Sequence, residues 1–224
     1  MGSDDLHKKR VRERKIRKEA VRDLTPYRIL IVCEGEKTEP GYFKTLKDLL
    51  EVKFRDLVDL KKVNLKKFIE IDGSGKNTES LVRHTLRLKA QASIPFGHVW
   101  CVFDKDSFTN EQFNSAIINA EKENIEVAWS NEAIELWFLL HFEYVSTGIT
   151  RYQYIEKLNY IFKGLGLGKY EKNMDGIYNI LKEYGSQNFA IVNAKRLLKD
   201  GYNYADMKPA TTVFKLVELL ENML

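Results

Sequence analysis

Two aspartates one residue apart follow a short apolar stretch in the middle of the chain. The stretch from Val99 to Phe103 is rich in strand formers and too short for a helix, which predicts a buried strand of a parallel sheet. Asp104 and Asp106 follow it directly. Carboxylates crowded where a buried strand ends require a cation, and ligands bind at the carboxyl ends of parallel strands. The spacing therefore indicates a divalent metal site, although both aspartates could instead cap the next helix or lie in a solvated turn.

A further carboxylate follows a second strong strand pattern. Residues 27–33, YRILIVC, are almost all apolar and end at Glu34. If this strand lies beside the one that ends at Asp104, three carboxylates meet at one edge of the sheet. A ligand set made only of oxygens suits Mg²⁺ or Mn²⁺ and favours phosphoryl transfer. We therefore predict Asp104 and Asp106 as metal ligands, and Glu34 as a ligand or general base.

Other charged residues in the same segments are candidates for the same site. Lys37 or Lys105 could stabilise charge on a phosphate, and Lys37 is taken as the catalytic candidate. Glu39 is added as a candidate metal ligand. Glu135 lies within the apolar segment from Glu132 to Phe142, which has a helical pattern. Its carboxylate either lies on an exposed stripe, which is the common case, or points to the metal.

The order of the patterns predicts the fold class. Predicted strands alternate with predicted helices up to the helix that begins at Glu132. Asn131 is the expected N-cap of that helix. From Tyr152 onward we expect only helices. This pattern predicts an α/β fold, with a mostly parallel four-stranded sheet flanked by helices and an α-helical C-terminal part. The expected strands are 27–33, 68–71, 99–103 and 125–130, and the expected C-terminal helices are 151–162, 174–184, 188–199 and 211–224. The expected regions are a basic arm at 1–25, an α/β domain at 26–145 and a helical subdomain at 146–224.

A glycine-rich turn follows the second predicted strand. Residues 73–76 read Gly-Ser-Gly-Lys, which resembles part of a phosphate-binding P-loop. The P-loop also needs a glycine at position 70, where this chain has Glu70, so we reject that motif. Backbone amides of the turn, with Lys76, remain candidates for contact with phosphate.

The net charge of +4 comes from the first 25 residues. They hold nine basic and five acidic residues, so the rest of the chain is formally neutral. A basic arm before a neutral body suits nucleic-acid backbones, although a solvated tail that aids solubility explains it equally well. The candidate nucleic-acid-binding residues of the arm are Lys8, Lys9, Arg10, Arg12, Arg14, Lys15, Arg17 and Lys18.

Composition excludes several classes of protein. With 44% hydrophobic and 30% charged residues, the 224-residue chain is expected to be globular. It contains no apolar run long enough for a membrane helix and no signal peptide, so we expect a cytoplasmic protein without membrane contact. The two cysteines, Cys33 and Cys101, lie in predicted strands and are too few for a four-thiolate zinc site.

Four motifs in order resemble the RloB-like proteins. They are ILIVCEGEKTEPGYF (29–43), FDKD (103–106), SNEAIELWFLLHF (130–142) and KPATTVFKLVELL (208–220). The core of that family looks like the Toprim domain of topoisomerases, primases and OLD-type nucleases, which carries a Glu after its first strand and an Asp-x-Asp after a later one. The matching residues here are Glu34, Asp104 and Asp106.

The resemblance implies a Mg²⁺-dependent Toprim nuclease of bacteria or archaea. Such proteins belong to phage-defence or restriction-linked loci and act beside an ATPase of the AAA or ABC type. The substrate would be DNA or RNA, with tRNA among the options, and a homo-oligomer is left open. The alternative is a non-cleaving module that binds nucleic acid or regulates an ATPase through a metal-binding acidic site. A phosphatase or glycosyltransferase ranks lower, since Asp-x-Asp here follows the third strand and neither class explains the basic arm.

Overall fold

A five-stranded, mostly parallel sheet forms the centre of the protein. The computed structural model describes residues 28–61, 68–106 and 108–223, so the basic arm lies outside the described residues. The strand order is β2-β1-β3-β4-β5, and only β5 runs antiparallel to its neighbour. The predicted α/β class is confirmed, and the sheet has one strand more than predicted. The strands are β1 Ile29–Cys33, β2 Ile69–Gly73, β3 His98–Asp104, β4 Glu126–Asn131 and β5 Ala210–Thr211.

Helices connect the parallel strands and form most of the C-terminal part. In the described part of the chain they are α1 Thr38–Lys61, α2 Thr78–Gln91, α3 Asn110–Lys122, α4 Glu135–Leu139, α5 Arg151–Gly164, α6 Ile177–Tyr184, α7 Gln187–Leu197 and α8 Val213–Glu221, with a short 3₁₀ helix at Tyr204–Asp206. None of these described helices combines the length and the apolar character that crossing a membrane requires.

The two central strands are buried along nearly their whole length. All five residues of β1 are buried, and in β3 only His98 is partly exposed. Such continuous apolar strands need cover on both faces of the sheet. The chain runs from β1 to β2 on one side of β1 and from β3 to β4 on the other side of β3. Strand order therefore reverses between β1 and β3, and the crevice at their carboxyl ends is where sheets of this topology bind ligands.

The last strand corrects the prediction that the C-terminal third is helical throughout. The apolar period of residues 211–224 predicts a helix from Thr211, but α8 begins at Val213. Thr211 pairs with Ser130 of β4, and the Thr212 amide donates to the Trp129 carbonyl at 2.8 Å. The Thr212 hydroxyl accepts from the Trp129 amide at 2.9 Å and donates to the Val127 carbonyl at 3.0 Å. These long-range bonds to β4 outweigh the local helical pattern.

The segment after β4 also differs from its prediction. Asn131 is not a helix cap: it is the last residue of β4, and its buried amide donates to the carbonyls of Ala205 and Met207. The helix predicted from Glu132 to Phe142 is shorter, because α4 spans only Glu135–Leu139. Tertiary hydrogen bonds from Asn131 thus replace the local cap that the sequence suggests.

Candidate functional site

The carboxyl ends of β1 and β3 bring Glu34 and Asp104 together. Cys33 of β1 lies opposite Val102 of β3, so each carboxylate residue follows or ends its strand at the same edge. The Asp104 amide donates to Glu34 Oε2 at 3.4 Å. Asp104 is buried, whereas Asp106, two residues further, is exposed and has φ of 29°. The predicted pairing of these two strands is confirmed.

An arginine from the C-terminal part lies among these carboxylates. The Arg151 guanidinium contacts Asp104 Oδ2 and Asp106 Oδ2, each at 2.7 Å, through two different nitrogens. Arg151 is the first residue of α5, whose start is set by a capping box between Thr150 and Gln153. The cap places the arginine at the edge of the sheet, where its single positive charge is shared between the two aspartates.

Glu135 of α4 adds another carboxylate to this group, which we call the acidic cluster: Glu34, Glu39, Asp104, Asp106 and Glu135. Its side chain is 1% exposed, and Oε2 lies 3.7 Å from Arg151 Nε. The Tyr170 hydroxyl donates to Glu135 Oε1 at 3.2 Å, while Oε2 has no hydrogen-bond partner among the described residues. The next residues of α4 hold it in place, since the Trp137 indole donates to the buried Tyr42 hydroxyl of α1 at 2.9 Å. Of the two orientations left open by the sequence, the structure has Glu135 facing the site.

The acidic cluster borders a cavity of about 320 Å³ at the edge of the sheet. Glu39 is buried in its wall, and a Cβ at Gly35 would collide with the Glu39 carboxylate, so glycine permits this close approach. Lys37 and Lys172 add positive charge to the rim. The lining residues are Gly35, Glu36, Lys37, Thr38, Glu39, Asp104, Ile134, Glu135, Arg151, Lys172 and Asn173.

Burial and repulsion between neighbouring carboxylates raise the pKa of Glu34, Glu39 and Asp104 and so favour their neutral forms. Burial raises the pKa of Glu34 to about 7, with Glu39 and Asp106 adding to the shift. Burial likewise raises the pKa of Asp104 well above its usual range, Glu39 adds to this, and Arg151 opposes it. Burial opposes the charged form of Arg151, but the neighbouring carboxylates raise its pKa above its ordinary value. If all of these carboxyls ionise, they carry more negative charge than one arginine neutralises, so a further cation would favour their charged forms.

The donor chemistry fits a hard divalent cation. Within the described ranges, no three acidic, histidine or cysteine side chains already stand at positions that would hold one metal ion. The acidic side chains at this edge nevertheless offer carboxylate oxygens with no histidine or cysteine beside them in the cavity lining, and one of these oxygens, Glu135 Oε2, is buried without a hydrogen bond. Mg²⁺ and Mn²⁺ prefer such oxygens, so Glu34, Glu39, Asp104, Asp106 and Glu135 fit these ions as candidate ligands.

A family model described as RloB-like protein matches residues 29–220. The chain belongs to the RloB-like family. The match contains every carboxylate of the cluster and Arg151 as well. Neither the curated proteins nor the solved structures include a match to this RloB-like chain.

The other predicted site residues of this RloB-like protein lie at different distances from the cluster. Lys37 lines the cavity, but Lys105 does not, and its ammonium donates to the Phe108 carbonyl at 2.5 Å. Lys76 follows β2 at the same edge of the sheet, where the Ser74 amide donates to the Cys33 carbonyl, and it does not line the cavity. The eight basic residues of the arm lie outside the described residues.

Sequence reasoning misses four residues that form the site. They come from α5 and the loop that follows it, far along the chain from Asp104. The sequence signal closest to any of them is the Thr-x-x-Gln spacing at Thr150, which predicts a helix start but not what the helix contacts. The missed residues are Arg151, Tyr170, Lys172 and Asn173.

Proposed function

We propose that this chain is a metal-dependent nuclease that hydrolyses phosphodiester bonds of DNA or RNA. One observation carries the proposal: carboxylates of β3, α1 and α4 line an open cavity with Arg151 at the carboxyl edge of a parallel sheet. Glu34, which follows β1, does not line the cavity but contacts the Asp104 amide beside it at 3.4 Å. The resemblance to the Toprim pattern of a Glu after the first strand and a later Asp-x-Asp supports it as well, since the matching residues Glu34, Asp104 and Asp106 lie at this edge of the sheet. The non-cleaving alternative has no observation of its own in its favour.

The acidic residues in and beside the cavity would hold a metal ion, and the basic residues at its rim would bind phosphate. Asp104, Asp106 and Glu135, with Glu34 and Glu39 beside them, are the groups that would hold Mg²⁺ or Mn²⁺. A bound cation would neutralise the phosphodiester, lower the pKa of a water and stabilise the leaving oxygen. Lys37 and Lys172, exposed at the cavity rim, attract and orient the phosphate backbone.

Glu34 is suited to accept a proton from the attacking water. A general base works best with a pKa near the operating pH, and burial raises the pKa of this carboxyl to about 7. Its Oε2 is already oriented by the Asp104 amide at 3.4 Å. Without a bound cation, burial thus leaves this carboxyl less acidic than an ordinary glutamate, which suits a group that accepts a proton.

The biological setting is part of the proposal. Resemblance to RloB-like proteins of phage-defence loci supports a cytoplasmic nuclease that acts with an ATPase of the AAA or ABC type. The basic arm at residues 1–25 would add contacts to phosphates, each of which releases counterions on binding.

Cleavage of labelled DNA, tRNA and total RNA by the purified protein tests the proposal. We expect cutting with Mg²⁺ or Mn²⁺, none with EDTA, and loss of cutting in Asp104→Asn and Glu34→Gln. Asp200→Asn is the matched control, because Asp200 is exposed and does not line the acidic cavity. The candidate ATPase partner is added in a second set. Full cutting by Asp104→Asn refutes the site, and no cutting in either set refutes the nuclease and leaves the non-cleaving module.

A further inference from the structure

Helix α5 carries two tyrosines that are exposed on the surface of the protein. Tyr152 is 68% exposed and Tyr160 is 82% exposed, although aromatic rings usually lie at least partly inside. Seven residues lie between them, so the eight-position step places them about 12 Å apart along the helix and on the same side of it. That separation is too long for both rings to stack on one base and long enough for each to hold its own.

The same helix begins at the acidic cluster. Arg151, the residue before Tyr152, contacts Asp104 and Asp106, and the loop after α5 returns to the cavity, which Lys172 and Asn173 line. The Thr38 hydroxyl donates to the Asn173 side chain at 2.7 Å and fixes this return. Both ends of the segment 151–173 therefore lie at the cavity, and the two exposed tyrosines lie on the helix between them.

The charge of this segment favours a polyanion. Residues 151–173 contain five basic and two acidic residues, a formal net charge of +3. Arg151 is paired with carboxylates of the cluster and Lys157 with Glu143, so the basic side chains exposed for a ligand are Lys163, Lys169 and Lys172. The exposed side chains of α5 near the tyrosines are polar or charged: Gln153, Glu156 midway between the two rings in sequence, Lys157, which is paired with Glu143 at 2.7 Å, and Lys163. Protein-binding surfaces are depleted of charge at their centre, whereas rings among basic residues are typical of nucleic-acid surfaces.

From these contacts we infer that the tyrosine face of α5, defined by Tyr152 and Tyr160, binds the unpaired bases of a single-stranded nucleic acid next to the cavity. A base inside a duplex is already covered on both faces and does not stack on a side chain, whereas an unpaired base does. The inference rests on the proposed function and gives its substrate class as single-stranded DNA or RNA, or the single-stranded part of a folded RNA.

Fluorescence anisotropy of labelled oligo(dT), oligo(U) and a blunt-ended duplex of two separate strands, in EDTA so that no cleavage occurs, tests the inference with the full chain. We expect Tyr152→Ala with Tyr160→Ala to weaken single-strand binding about tenfold or more, from a stacking contribution of about 1–3 kcal/mol per base. Duplex binding should stay unchanged. The Phe variants should bind like the wild type because they keep the ring. Tyr202→Ala is the matched control, since Tyr202 is 76% exposed and lies outside α5.

The outcomes separate this inference from the nuclease proposal. Equal single-strand binding by the double Ala variant and the wild type overturns the inference, as does wild-type binding to the duplex at least as tight as to the single strands. If the variant binds nucleic acid like the wild type but no longer binds the candidate ATPase partner, the inference is also overturned, and the tyrosine face is a protein-binding surface instead. Tyrosine-dependent binding without cleavage in Mg²⁺ supports the inference and contradicts only the nuclease.

Discussion

Replacing Arg151 with alanine removes the cation that faces two buried carboxylates, and we expect the metal-free protein to lose stability. The Asp104 side chain is 7% exposed and that of Glu135 is 1% exposed, while Arg151 itself is 26% exposed. Removing one partner of a fully buried ion pair costs about 3–5 kcal/mol. Partial exposure of Arg151 and protonation of Asp104 reduce this, so we expect about 2–3 kcal/mol.

Thermal unfolding followed by circular dichroism in EDTA measures this loss. In a protein of this size each kcal/mol shifts Tm by about 2–4 °C, so Arg151→Ala should melt about 4–12 °C lower than the wild type. Arg83→Ala is the matched control. Its ion pair with Glu79 is 3.6 Å long and both side chains are highly exposed, so it should cost under about 0.5 kcal/mol. Arg151→Lys keeps the charge without the forked contact and should fall between the two.

Mg²⁺ provides the second half of the test. A cation that binds the same carboxylates competes with the arginine, so Mg²⁺ should raise the Tm of Arg151→Ala more than that of the wild type. If Arg151→Ala has the same Tm as Arg83→Ala, Arg151 is not the counter-charge of the buried acids. If Mg²⁺ raises both melting temperatures equally, cation and arginine do not share these carboxylates.

Three further predictions concern the scaffold and the arm. Burial lowers the pKa of His141 to about 4, against about 6.5 in the unfolded chain. The unfolded chain thus binds the proton more tightly, and stability should fall by about 2 kcal/mol from neutral pH to about pH 5. Urea unfolding of His141→Asn should show a flatter pH dependence, and an unchanged slope would contradict it. Asn131→Ala leaves the carbonyls of Ala205 and Met207 without their donor, so it should cost about 2 kcal/mol by urea unfolding; a wild-type midpoint would refute this. Deleting residues 1–25 should weaken nucleic-acid binding and flatten its salt dependence in filter binding, whereas unchanged binding would make the arm a solubility tail.

The central sheet was predictable because its signals are local. The apolar runs that form β1 and β3 are too short and too rich in strand formers for helices, and each ends in an acidic residue. Parallel strands end at the same edge, so Glu34 and Asp104 meet once β1 and β3 are neighbours; the pattern allows that pairing and the structure shows it. The inward direction of Glu135 did not follow, since its whole segment is apolar and buried on every side.

The missing parts of the prediction depend on contacts between distant residues. Arg151 meets Asp104 across 46 intervening positions, and a basic residue at a helix start is ordinarily read as a solvated one. Strand β5 has only two residues and is defined by its bonds to β4, so no period within the sequence reveals it. The amide bonds of Asn131 to the segment at 205–207 likewise have no local sign.

The bonds of Thr211 and Thr212 to β4 also affect how copies of this chain can meet. An open strand edge invites pairing with another chain, which leads to domain swapping or aggregation. Here the Thr212 hydroxyl accepts from the Trp129 amide and donates to the Val127 carbonyl, and the Thr212 amide donates to the Trp129 carbonyl. Strand β5 pairs with the last two residues of β4. The β4 edge is thus closed to strand exchange by the chain's own C-terminal segment, and copies that associate in a crowded cell must do so through other surfaces.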